Sequence, residues 1–390
     1  MRELRERWPL PSQALLVLQL WTANKPLLPN LKMVDLSEVH ELLIPFVSLL
    51  IPLGATSISL GFGFSTPGAM VASTVSSLPK LCPNSQAIRL HSLPRDPMIV
   101  PAVSGMVLAS NRNTLQEFHV GIPLTKEANE VVFKLPSLRS LSVVIKRENS
   151  LPSASLPSLV KLAITCDKEG GWLQLFHEAT FGKLEFVTLY PLSDQIGDFL
   201  ETFERVALSS SIQHTLSTFR VASLFSWNPD YLSLLPFTQL VNLIIESSCG
   251  GGCSSRVDDD IVISLSRAMS KLEFLRLGDP PCEEPMTGAT VKGLVALALH
   301  SPNLQHLCIR FQVASLSAPP ESLGILRNAE PTGCRVDCAL TTLEVGNTLA
   351  PEESVLMVAS TLLRIFPHIE NIYSRDEGWE KVEDAIRLSK

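Results

Sequence analysis

The sequence predicts an α/β solenoid in which short parallel strands line one wall and helices return along the other. Three observations predict it. A triplet of aliphatic positions with spacing three then two recurs along nearly the whole chain. A proline two residues ahead of the triplet stops whatever precedes it in six of these places. Intervals of helical period separate the triplets.

The triplets, stacked with any aliphatic or Phe allowed in a column, give twelve lines. They run Leu31-Val34-Leu36, Ala55-Ile58-Leu60, Ser85-Ile88-Leu90, Leu115-Phe118-Val120, Leu138-Leu141-Val143 and Leu159-Leu162-Ile164. Then come Leu184-Val187-Leu189, Leu216-Phe219-Val221, Leu240-Leu243-Ile245, Leu272-Leu275-Leu277, Leu304-Leu307-Ile309 and Leu340-Leu343-Val345. A worn thirteenth follows at Ile369-Ile372. From Leu36 to Val345 the mean period is about 28 residues, near the upper end of the range for repeats of this kind. The last two columns lie two apart, so both face one side of a strand, and that side must be buried.

The punctuation reads "LLPNL" at 27–31, "LCPNS" at 81–85, "LPSL" at 135–138 and 156–159, "SPNL" at 301–304 and "FPHI" at 366–369. Proline cannot continue a helix and holds its predecessor extended, so the chain turns from helix to strand there. Helices are expected over 172–180, 193–208, 257–269, 290–300 and 352–366. In the third of these, Ile261, Leu265 and Met269 make an apolar stripe. Asp258 to Asp260, just ahead of it, are expected to cap its N-terminus.

These lines resemble the leucine-rich-repeat family, in particular the irregular repeats C-terminal to the F-box of fungal F-box proteins. The resemblance is clearest at Pro29–Leu36, Pro136–Val143, Pro157–Ile164 and Pro302–Ile309. It implies a leucine-rich-repeat solenoid, a horseshoe with a concave parallel sheet, convex helices and twelve or thirteen repeats. The expected division is a partial repeat or linker over 1–30, the solenoid over 31–373 and a C-terminal helical cap over 374–390. The family's asparagine column, three residues after the last leucine, is not kept: those positions hold Val39, Gly63, Leu93, Lys146 and Asp167. No F-box is expected ahead of Leu31, and "LSEVHELL" at 36–43 lies inside repeat spacing.

Charge and composition narrow the function. The net charge is −7, with lysine and arginine scattered, which gives no footprint for nucleic acid. Eight widely spaced cysteines suit a reduced cytoplasmic or nuclear protein. Glu3 and Glu6 interrupt the basic N-terminus that a signal peptide needs. The apolar run Leu42–Leu53 is broken by Pro45 and Pro52 and falls short of the roughly 20 residues that span a bilayer. No membrane association is expected.

The sequence has no Gly-Lys-Ser/Thr loop, and "CGGGCSSR" at 249–256 lacks the lysine that would reach a phosphate. A Gly-x-Ser-x-Gly elbow and a His-Glu-x-x-His pair are also missing. Cys249, Cys253, Cys334 and Cys338 could together make a four-thiolate zinc site. The two pairs belong to lines three apart, however, which puts them about 14 Å from each other. No enzyme activity, cofactor or metal is expected.

What remains is a surface. Residues alternating with the buried columns should face the concave side: Arg89, His119, Lys161, Phe186, Tyr190, Arg220, Asn242, Phe274, Arg276, His306, Arg310 and Glu344. The candidate partner-binding cluster is Phe186, Tyr190, Arg220, Phe274, Arg276, His306 and Arg310, because aromatics and arginines dominate binding hot spots. An acidic or phosphorylated protein segment is expected opposite Arg220, Arg276 and Arg310. The resemblance implies the substrate-recognition repeats of an F-box-type ubiquitin-ligase receptor, with a ligase adaptor as partner only through an upstream F-box. The alternative is a free-standing repeat scaffold or regulator unrelated to ubiquitin.

Overall fold

A computed structural model describes residues 3–5, 26–39, 41–63, 65–110, 113–146, 155–166, 176, 179–192, 200, 203–204, 212–223, 230–247, 257–278, 288–316, 337–346, 348, 354–374 and 376–390. The chain forms two compact units, Met1–Leu184 and Glu185–Lys390.

The first unit carries a parallel sheet of β1 (Glu3–Arg5), β2 (Met33–Val39), β3 (Ser57–Phe62), β4 (Ala87–His91), β5 (Glu117–Pro123), β6 (Ser140–Ile145) and β8 (Lys161–Cys166), in that order. A separate parallel pair joins β7 (Ser155–Leu156) to β9 (Thr180–Phe181). Thr180, expected to end a helix, is therefore extended. Its backbone is used by the ladder with Ser155, which local helical propensity could not foresee. Helices α1 (Gly68–Leu81), α2 (Ile99–Ala109) and α3 (Lys126–Val132) pack side by side.

The second unit repeats the plan with β10 (Phe186–Pro191), β11 (Thr218–Ser223), β12 (Asn242–Ser247), β13 (Phe274–Leu277), β14 (His306–Cys308), β15 (Thr342–Gly346) and β16 (Asn371–Ser374), all parallel and adjacent in sequence order. Helices α4 (Asp259–Ala268), α5 (Val291–His300), α6 (Val355–Ile365) and α7 (Gly378–Ser389) form a row beside it. The expected helices over 257–269, 290–300 and 352–366 are thus α4, α5 and α6. Those over 172–180 and 193–208 lie mostly outside the described residues.

Two features explain why these segments fold alike. Every residue of the twelve aliphatic lines is buried, none more than 7% exposed. The strands that carry them are paired so that equivalent columns align: Val187, Phe219, Leu243, Leu275, Leu307, Leu343 and Ile372 are successive partners. Burying an aliphatic side chain of this size contributes about 1.5–3 kcal/mol, so the columns and not the loops set the register.

The second feature is the turn into each strand. The first-column N–H of Leu31, Ser85, Leu138, Leu159, Leu304 and Ile369 donates to the carbonyl three residues earlier, at 3.1 to 3.4 Å. Proline stands at the second position of every one of these turns, where its fixed φ is already correct. Just beyond, one carbonyl accepts from two successive N–H groups of the next strand: Glu185, Ser217, Val241, Glu273, Gln305 and Thr341 each do so in the second unit.

The stripe on α4 differs in detail from the expected one. Val262, Leu265, Ser266 and Met269 are buried, while Ile261 is only half-buried. The spacing three, four, seven is a better fit to a 3.6-residue period than steps of four. Ser266 is accommodated because its hydroxyl donates to the Ile263 carbonyl at 2.9 Å. Asp258 caps α4, its carboxylate accepting from Ile261 N–H at 3.0 Å. Asp259 instead serves the neighbouring helix, accepting from Thr290 N–H at 2.7 Å, Thr290 Oγ at 2.6 Å and Gly293 N–H at 3.0 Å.

Candidate functional site

Strand alternation turns one column of each triplet-bearing strand inward and leaves the next residue on the opposite face. In the second unit that opposite face carries two ladders. One is Phe186, Thr218, Asn242, Phe274, His306, Thr342 and Asn371; the other is Thr188, Arg220, Ile244, Arg276, Cys308, Glu344 and Tyr373.

The arginines do not stand free. Arg220 donates through Nη2 to Glu246 at 2.8 Å, and Arg276 donates through Nη1 to the other oxygen of Glu246 at 2.8 Å. Arg276 then donates through Nη2 to Glu344 at 2.6 Å. His306 lies parallel on the Phe274 ring, centroids 4.2 Å apart and planes 3° apart, and places Nε2 3.0 Å from Glu344. The Arg276 guanidinium sits 5.8 Å from the Phe274 centroid, within cation–π range. The result is a continuous chain of contacts, Arg220 to Glu246 to Arg276 to Glu344 to His306. Its side chains keep 20–41% of their surface in contact with solvent.

Electrostatics follow from this arrangement. Burial would raise the Glu246 carboxyl, but hydrogen bonds from Arg276 and Arg220 outweigh it and hold it below the usual range. Burial works against the Arg276 charge too, and Glu246 with Glu344 more than restores it, so Arg276 titrates above its ordinary value. His306 is lowered: burial dominates, Glu344 opposes it and Arg276 adds to it. At neutral pH the ring is uncharged, and its contact with Glu344 is not a salt bridge.

Of the seven residues expected to form the binding cluster, Arg220, Phe274, Arg276 and His306 come together. Phe186 shares the ladder of Phe274 and His306 but is separated from Phe274 by the strands of Thr218 and Asn242. Tyr190 stands near the C-terminal end of β10, 37% exposed. Arg310 follows the end of β14, and its carbonyl packs so closely on Gly288 that a Cβ there would approach it to 2.9 Å. No family model and no curated protein matches the chain.

Sequence reasoning missed Glu246 and Cys308. Both were legible by carrying the alternation one step past the aliphatic triplet or by admitting a residue that is neither charged nor aromatic. Tyr373, 58% exposed on β16, extends the same face.

The first unit has a smaller counterpart. Arg89 is ion-paired with Glu117, and His119 Nε2 lies 2.8 Å from Ser140 Oγ. Burial, with the Arg89 charge next, lowers His119.

Cys338 is buried with its thiol against the Ser301 carbonyl, while Cys249, Cys253 and Cys334 lie outside the described residues. Among the described residues no group of three His, Cys, Asp or Glu could hold a metal ion. Among the same residues no helix is long and apolar enough to cross a membrane.

Proposed function

We propose that the chain is a leucine-rich-repeat solenoid, a horseshoe whose open sheet face holds a protein partner and performs no catalysis. The observation that carries this reading is the separation of roles on each strand. The aliphatic columns are buried without exception, while the alternate positions present aromatic rings and charged groups that remain half-exposed. A face built this way spends its side chains on recognition and leaves stability to the other side. The partner contributes a segment with a carboxylate for Arg220, whose side chain is 41% exposed, and apolar groups for Phe186, Tyr190 and Phe274.

By resemblance, the chain supplies the substrate-recognition repeats of an F-box-type ubiquitin-ligase receptor. The test is a crosslinking capture from source cells with three forms of the protein. These are the unaltered chain, the triple variant Phe186→Ala, Arg220→Ala, Phe274→Ala, and a variant altered at exposed residues of α7, Glu380→Ala with Lys381→Ala. Crosslinks lost only in the triple variant support docking on this face. Crosslinks kept in all three would overturn it. Repeating the capture with the reading frame extended upstream separates the ligase reading from a free-standing scaffold, because only the former recovers a cullin adaptor in an extension-dependent way.

A further inference from the structure

The bond between Arg276 and Glu344 joins residues that are not on neighbouring strands. Arg276 on β13 is in register with Cys308 on β14, and Cys308 is in register with Glu344 on β15. The 2.6 Å contact therefore passes over β14. Cys308 shares the face of the half-exposed His306, yet only 2% of it is exposed.

We propose that Arg276 and Glu344 form a strap across β14 that covers Cys308 and keeps Arg276 from engaging a partner. Three observations support the strap. Both terminal nitrogens of Arg276 are taken, one by Glu246 and one by Glu344. Its Nε–H is buried with no acceptor among the described residues and is out of reach of an incoming group, and while the strap is closed the guanidinium charge is already balanced by two carboxylates. The Cys308 thiol is held far above its usual range, by burial first and the Glu344 charge second, with Arg276 pulling the other way.

These opposing signs give the strap a signature. Removing the Glu344 charge turns the strap's charge-assisted bond into a weaker neutral one, loosens the cover and leaves the thiol beside a guanidinium, which favours the thiolate, the reactive form. Opening by loss of Arg276 uncovers it without that help. That the strap withholds Arg276 rests on the docking reading above; its covering of Cys308 does not.

The first experiment is peptide-resolved alkylation by iodoacetamide at pH 7.5 in the native full chain. Cys82 and Cys338, both buried, serve as internal references. Glu344→Gln is expected to accelerate Cys308 about tenfold or more, since each unit of lowered pKa gives about tenfold more thiolate. Arg276→Met is expected to accelerate it less. The reference cysteines stay unchanged. No acceleration of Cys308 in Glu344→Gln overturns the strap. If all three cysteines accelerate together, the unaltered protein decides: raising salt weakens the ion pair and should speed Cys308 alone, and a flat response overturns the strap.

The second experiment measures binding of a glutamate decapeptide by fluorescence anisotropy. Glu344→Gln should bind severalfold more tightly than the unaltered chain, and Glu370→Gln, which changes the net charge equally, should not. Accelerated alkylation without this gain would retain the strap as a cover and overturn its role at the docking surface.

Discussion

Asp259 on α4 holds Thr290, the residue that caps α5, through both its backbone N–H and its hydroxyl. One carboxylate thus serves the start of the next helix, and Thr290 in turn accepts from Lys292 N–H at 3.2 Å to cap its own. Hydrogen bonds to a charged group contribute about 1.5–3 kcal/mol each, and neighbouring bonds to one group share that effect. Asp259→Ala is expected to destabilise by about 2–3 kcal/mol, read as a lower urea midpoint. Gly293→Ala should act in the same direction although alanine favours helices, because its Cβ would stand 2.7 Å from the Asp259 oxygen. An unchanged midpoint in both variants would remove Asp259 as a tie between the helices.

Acid should weaken the fold in two stages. Burial holds His306 and His119 below the ordinary imidazole value of 6.5 in the folded chain. The unfolded chain therefore binds more protons than the folded one just below that pH. Stability is full above about 6.5 and falls as pH drops towards the folded values. Glu246, also lowered, adds a second loss as pH falls from its ordinary 4.5 through its folded value. Denaturant midpoints measured from pH 8 to 5 should decline, and His306→Gln should flatten part of that decline. A stability that rises on acidification through this window would contradict the assignment.

Substitutions on the two faces of β13 should separate by size. Leu275 is fully buried, and Leu275→Ala is expected to cost about 2–5 kcal/mol through lost burial and the cavity left behind. Phe274, its outward neighbour, rests on His306 and solvent; stacked pairs of this kind are worth about 0.5–1.5 kcal/mol beyond area. Phe274→Ala should therefore leave the urea midpoint much closer to that of the unaltered chain.

Trp379 anchors the last helix. It is 1% exposed, donates from Nε1 to the Thr348 carbonyl at 2.8 Å and meets the Phe311 ring edge-on with centroids 5.9 Å apart. Trp379→Ala is expected to cost about 3–5 kcal/mol. Deleting residues 376–390 should expose the apolar flank of α6 and cause association, measurable by light scattering.

The aliphatic columns could be read from the sequence because burial and strand alternation act at spacings of two and three residues, within reach of a local pattern. Pro-Asn and Pro-Ser turns were legible for the same reason. The ion-pair chain was not. Arg276 and Glu344 are 68 residues apart, and only the register of three strands brings them together. The expectation of an acidic or phosphorylated partner at Arg220, Arg276 and Arg310 rests on arginines read one at a time, and at the first two Glu246 and Glu344 supply much of that charge from within the chain. The Ser155–Thr180 ladder was hidden likewise, since two residues carry no periodicity.

The order of the strands in the second unit is also their order in the chain. Each new strand therefore meets its ladder partner in the segment that left the ribosome just before it. Nothing in that sheet waits for a distant C-terminal partner to close it, so translation itself can serve as the assembly line, adding one finished rung at a time.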